Sequence, residues 1–191
     1  MTTARFALYA LCLALCACPA PTDHLDNGLM VRDGLTLHAA GFPLAVAVDD
    51  TVEDDTLVPE VIAWWNDQAG FEVFYASELD PPPPLRLPDI VVAIGYTGGD
   101  YEAPVIGVSA IDFDSEGTIV DCQVTLSYDL AYDRDTMVKG GEHELGHCVA
   151  LEDDPGPPVT VDLRSIMSDP LDMWGRLTDH DRDLVVDMMM N

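Results

Sequence analysis

Apolar and polar positions recur with two different periods along the chain, and from Pro43 onward the switches between them mark out short elements. Leu44-Ala45-Val46-Ala47-Val48 is an apolar run of strand length. Val58, Val61, Ile62, Trp65 and Ala69 then fall at helical spacing. Thr56 can cap this helix, Pro59 lies in its first turn and Gly70 follows its end. Trp64 and Trp65 read as core or rim packing. Phe71-Glu72-Val73-Phe74-Tyr75 returns to a strand pattern. Ile90-Val91-Val92-Ala93-Ile94 is a continuous β-branched run, which predicts a central strand covered on both faces. Val105 to Ile111 and Gly117 to Ser127 predict two further strands separated by a turn. Asp133 or Asp135 can cap a second helix running to about Leu151. Thr178 with Asp181 three residues on opens a last helix in the manner of a capping box, with Leu184, Val185, Met188 and Met189 as its apolar stripe. The order is β-α-β-β-β-α, an irregular stretch, then α, and the fold class is α+β. Pro81-Pro82-Pro83-Pro84 reads as a stiff polyproline loop between strands.

The N-terminal residues follow a different logic. Arg5 supplies a positive charge, and Phe6 to Ala17 form an apolar stretch too short for an ordinary transmembrane helix. The stretch ends in Leu15-Cys16-Ala17-Cys18, which resembles the lipobox of bacterial lipoproteins, with Cys18 as the lipidated residue. The alternative is an ordinary secretory signal cleaved nearby. Residues 1–17 are therefore expected to be a signal peptide, 18–42 a lipidated N-terminus and tether, and 43–191 the folded domain. His24 and His38 are read as incidental. The expected location is the bacterial outer membrane or cell surface, and otherwise secretion. A lipid anchor would be the protein's one attachment to a membrane.

Cys12 and Cys16 would leave with the signal, so Cys122 and Cys148 remain. In an oxidising compartment such a pair is expected to form a disulfide, with two buried thiols as the alternative. The formal net charge of -27 argues against nucleic acid as a partner, because the phosphate backbone would be repelled. Plain solubility is the simplest account of that charge, ahead of dedicated calcium sites or a halophilic source. Asp112-Phe113-Asp114-Ser115-Glu116-Gly117 matches the start of a calcium loop, but Gln123 stands where the bidentate glutamate belongs. A hairpin turn is the better reading there, and Gly98-Gly99-Asp100 reads as a turn as well.

The chemistry concentrates in His143-Glu144-Leu145-Gly146-His147. Two histidines four apart on a helix share one face, so both imidazoles can reach one ion. Zinc takes neutral imidazole nitrogen and prefers four ligands. Glu144, beside the first histidine, can serve as the base that takes a proton from water at the metal. Gly140 and Gly141 weaken this helix and allow close packing against a sheet. Asp153 lies six residues after His147 and can supply a carboxylate as third ligand; Asp154, Glu152, His180 or water are the other candidates. Further on, Ser165-Ile166-Met167-Ser168-Asp169-Pro170 reads as a tight turn carrying a methionine.

The run His143 to Asp154 together with Met167 resembles the metzincin clan of zinc metallopeptidases, particularly its matrixin-like and small secreted bacterial members. The resemblance implies a twisted mixed sheet with an antiparallel edge strand that pairs with an extended peptide, an active-site helix and a C-terminal helix. It implies zinc on His143, His147 and Asp153, Glu144 as catalytic base, and Met167 as the Met-turn beneath the metal. The chain departs from the family pattern at Ala150, where a glycine normally lets the chain turn, and at Asp153, where a histidine is usual. The expectation is a monomeric zinc endopeptidase with one catalytic Zn2+, acting on protein or peptide substrates. The alternative is a non-catalytic acidic surface lipoprotein that binds calcium, zinc or a protein partner.

Overall fold

In the computed structural model of the protein, the described residues are 28–79, 88–95, 105–127, 133–153, 165–167 and 175–190. The expected signal peptide, Cys18, His24, Pro81 to Pro84, Gly98 to Asp100, Asp154 and Ser168 to Pro170 lie outside them.

Strand β1 (Val31–Arg32) and strand β2 (Leu35–Thr36) form a hairpin across Asp33 and Gly34, both at positive φ. Strand β3 (His38–Ala39) follows. Met30 and Leu37 are buried in the core. The tether expected over 18–42 therefore needs correction for residues 28–42. These short apolar positions carry no periodicity, yet they complete the domain.

Strands β4 (Leu44–Val48), β5 (Phe74–Ser77), β6 (Ile90–Gly95) and β8 (Thr118–Ser127) build a parallel sheet in the order β5-β4-β6-β8, with β3 parallel to the first residues of β8. Strand β7 (Gly107–Phe113) pairs antiparallel with β8 and lies at the sheet's edge. The sheet is mixed and mostly parallel, as the α+β reading with an antiparallel edge strand anticipates. Ile90 and Val92 of β6 are buried, whereas Val91, Ala93 and Ile94 are only half-buried. Full cover on both faces, expected from the β-branched run, is thus found on one face only.

Helix α1 (Leu57–Ala69) ends at Gly70, whose φ of 81° lets its N–H return to the Asn66 carbonyl. Thr56 occupies the N-cap position, but its side chain makes no capping bond. The Thr56 hydroxyl donates to Asp54 at 2.6 Å and accepts from Arg134 instead. The next strand starts at Phe74 rather than Phe71, because the Asn66 side-chain oxygen accepts the N–H groups of Val73 and Phe74 and holds the connection against the helix.

Helix α2 (Arg134–Cys148) is capped by Asp133, whose carboxylate accepts the Thr136 N–H at 2.8 Å. It stops three residues before Leu151. Its two glycines bring it against its neighbours: a Cβ on Gly140 would meet Ile106 at 2.5 Å, and one on Gly141 would meet Val61 at 3.1 Å. Val58 and Val61 of α1 and Leu145 of α2 close over Val92, Val124 and Leu126 of the sheet. Trp65, fully buried, donates its indole N–H to the Glu142 carbonyl at 2.8 Å, locking α1 to α2. Trp64 lies under the Lys139 ammonium. Helix α3 (Asp179–Met190) begins with the expected capping box, in which Thr178 and Asp181 exchange hydrogen bonds. Val185 is its buried contact and Leu184 and Met188 pack partly, but Met189 faces outward. Among the described residues no helix is long and apolar enough to cross a membrane.

Cys122 of β8 is disulfide-bonded to Cys148, the last residue of α2. The two are 26 residues apart, a loop whose closure entropy corresponds to about 3.5 kcal/mol. A Cys122→Ala/Cys148→Ala variant is expected to lose about that much stability in urea titration, and an unchanged midpoint would contradict it.

Candidate metal centre

Helix periodicity puts His143 and His147 one turn apart, and their rings meet edge to face with centroids 4.9 Å apart. After Cys148 the chain must reverse to bring a third group back toward them. Ala150 makes that reversal at a φ of 67°, the left-handed conformation that glycine normally supplies. Its N–H bonds to the His147 carbonyl and that of Leu151 to the Gly146 carbonyl. The sharp turn is thus made by an alanine in a conformation that glycine usually adopts.

The N-terminal segment holds the reversed chain. Met30 donates its N–H to the Ala150 carbonyl and Glu152 donates to the Gly28 carbonyl, at 2.8 and 3.0 Å. Arg32 pairs with Glu152 at 3.3 Å, which uses that glutamate away from the histidines. Asp153 then points Oδ1 at both rings, 3.3 Å from Nε2 of His143 and 3.4 Å from Nε2 of His147. The three groups form a set that could hold a metal ion, their ligand atoms all within 4.8 Å of one another. His180 is exposed, close to Gly28 on α3, and does not belong to the set.

The outer ring nitrogens decide which tautomer each imidazole adopts. His143 Nδ1 is 2.8 Å from the Ile166 carbonyl and His147 Nδ1 is 2.9 Å from the Leu151 carbonyl. A carbonyl only accepts, so both Nδ1 atoms carry hydrogen. In neutral rings, both Nε2 lone pairs therefore face the Asp153 oxygen. That oxygen is buried and has no hydrogen-bond partner among the described residues when the rings are neutral. Three acceptors aimed at one point require a positive species there.

Without a metal, a proton takes that role. Burial opposes charge on His147, but the Asp153 contact, the Glu144 and Asp153 charges and the Leu151 carbonyl outweigh it, and the imidazole is raised from 6.5 to about 9. Burial likewise opposes the charged form of Asp153, and the two histidines outweigh it, holding the carboxyl far below its usual range.

Met167 is buried beneath α2, where its thioether contacts Gly146. Any side chain on Gly146 would collide with it, so the glycine inside the motif is the packing partner of the turn methionine. The turn is fastened from behind. Ser165 Oγ donates to the buried Asp181 carboxylate at 2.7 Å and accepts the Met167 N–H at 2.9 Å. The sequence marked Asp181 only as a cap; its further bond, from Ser165, is what steadies the segment carrying the Ile166 carbonyl.

Glu144 turns toward the edge strand. Its side chain is buried against Gly107, and Ser109 Oγ lies 2.7 Å from its Oε2. Neither Gly107 nor Ser109 was marked by any sequence pattern, because strand alternation gives no sign of which helix residue a strand will face. At Asp112 to Gly117, the Asp114 carboxylate accepts the N–H groups of Glu116 and Thr118, the hairpin expected there.

No protein-family model matches the chain, and no curated protein sequence matches it.

The raised His147 value has a defined sign. Its stabilisation is complete below pH 6.5 and is lost as pH rises through about 9. The metal-free chain, kept in chelator, is expected to lose urea stability across that window, and Asp153→Asn to remove the slope. Metal uptake at pH 7 is expected to release about one proton, measured by calorimetry in buffers of different ionisation enthalpy.

Proposed function

We propose that the protein is an exported zinc-dependent endopeptidase of metzincin type. The observation that carries this reading is the convergence of two imidazole lone pairs and one buried carboxylate oxygen on a single point. Nitrogen and oxygen ligands about 2.0–2.1 Å from a tetrahedral ion stand about 3.3 Å apart, and the two Nε2–Oδ1 separations are 3.3 and 3.4 Å. Two imidazoles and one carboxylate are the donor set among the described residues, and that set suits catalytic zinc. Calcium would favour more oxygen ligands than this group offers.

Zinc bound there would acidify a water molecule and polarise a scissile carbonyl. The protein's own residues would do the rest. His143 and His147 present their Nε2 lone pairs because the Ile166 and Leu151 carbonyls hold the opposite nitrogens. Glu144, next to His143 and held on the β7 side of α2, accepts the proton of the attacking water and passes it to the leaving amine. Among the described residues β7 pairs only with β8, and its outer edge is the one we assign to an extended peptide. Strand addition at that edge would align a backbone carbonyl with the site and give affinity largely independent of sequence. The Cys122–Cys148 disulfide supports an oxidising location, and the lipobox-like Leu15 to Cys18 supports a surface anchor at Cys18.

The deciding experiment is metal analysis combined with a peptide-library digest. Wild type is expected to hold one zinc and to cleave. Glu144→Ala is expected to keep the zinc and lose at least about 100-fold in rate, and Asp153→Ala to lose zinc as well. Undiminished cleavage by Glu144→Ala would sink the mechanism, and zinc without any cleavage would favour the binding-module alternative. Labelled palmitate should enter the wild type and not Cys18→Ser.

A further inference from the structure

We infer that the edge strand β7 also seats the catalytic base: Ser109 is a positioning residue for Glu144, and Gly107 clears the space the carboxylate occupies. The inference rests on the peptidase reading of Glu144 and adds to it residues outside the metal motif.

Gly107 and Ser109 are two apart on β7, so both face the same side of the sheet. That side meets α2 at Glu144. Ser109 Oγ is 2.7 Å from Glu144 Oε2 and 2.9 Å from the main-chain oxygen of the same residue. The hydroxyl carries one hydrogen, and both of its acceptors belong to Glu144. One serine thus ties the carboxylate to its own backbone, which restricts the rotation of a side chain with three flexible torsions. Gly107 acts by what it lacks. A Cβ at that position would stand 2.7 Å from Glu144 Cγ, 3.1 Å from Oε1 and 3.1 Å from Leu126 Cδ2. The first distance is too short for any alanine without moving the glutamate.

Glu144 is only 6 % exposed, so no bulk solvent replaces the serine if it is removed. A buried carboxylate that loses its donor is left unsatisfied and free to rotate. A general base must stay within hydrogen-bond reach of the proton it takes, so lost orientation affects the chemical step more than substrate binding. Threonine keeps the hydroxyl and suits a strand, which makes it the natural rescue.

The test uses the full zinc-loaded protein and one cleavable peptide, with kcat and KM measured separately. Ser109→Ala is expected to lower kcat about ten-fold, as loss of a hydrogen bond to a charged group does, with KM within two-fold, estimated as the limit of an unaltered binding edge. Bound zinc should stay at the wild-type level, and Ser109→Thr should recover most of the rate. Gly107→Ala is expected to lower kcat with Ser109 still present. A second readout needs no activity: urea midpoints in chelator for Ser109→Ala, Glu144→Ala and the double variant. The serine substitution should shift the midpoint in wild type and leave it unmoved in the Glu144→Ala background. An active wild type matched by Ser109→Ala overturns the positioning role alone. So does a Ser109→Ala variant whose zinc, KM and kcat all fall together, or equal midpoint shifts in both backgrounds. A wild type that binds zinc and cleaves nothing overturns the peptidase reading, and the positioning role falls with it.

Discussion

Three hydrogen-bond acceptors directed at one point repel one another, and the segments around α2 are arranged to hold them there. Neither imidazole can turn its N–H inward to relieve the conflict, because the Ile166 and Leu151 carbonyls already engage the outer nitrogens. Nor can the Asp153 oxygen reach solvent, since it is buried. The conflict is resolved by a positive charge, whether a proton on His147 or a metal ion. Selection between the two would be a competition between acidity and metal supply. Protein stability and any metal uptake would therefore be linked through a single position.

Holding that arrangement requires support on every side. Above the helix C-terminus, Ala150 accepts a left-handed backbone so that the chain can double back. Below it, Met167 fills the space that Gly146 leaves open. Behind the turn, Asp181 serves two purposes at once, capping α3 and fixing Ser165. The sheet supplies Cys122, which anchors the last residue of α2 covalently. Each contact is ordinary, but together they restrict the rings and the carboxylate to one relative placement. Such preorganisation is what a cluster able to hold a metal ion needs beyond mere proximity of three polar residues.

Much of this was legible in the sequence, and the reason differs from feature to feature. Helical periodicity exposed α1 and α3, because an amphipathic helix writes its buried face into every third or fourth residue, whereas α2 was legible through its Asp133 cap. The i, i+4 histidines were legible through their helical spacing. Asp153 was legible only through its spacing from His147, since aspartates abound in a chain this acidic. Thr56 was placed correctly at the helix start, but its side chain was misread as the cap: the hydroxyl donates to Asp54 two residues back and accepts from Arg134, and cap propensity knows nothing of a partner 78 residues away. The start of β5 moved from Phe71 to Phe74 because Asn66 captures the intervening backbone. Residues 28–42 were taken for a tether because strands of two residues are too short to show alternation. Ser109 was invisible because its partner is set by the packing of β7 on α2, which no local pattern records.

The pairing of Gly28 and Met30 with Ala150 and Glu152 carries a consequence for how the protein matures. The loop bearing Asp153 is fastened by residues more than a hundred positions upstream, while the histidine orienting it faces a carbonyl supplied still further downstream, at Ile166. During synthesis the helix with both histidines would be present before the Ile166 support had left the ribosome. Metal retention would thus report on completion of the whole domain, and a chain interrupted at either flank would expose a helix with histidines but no assembled cluster.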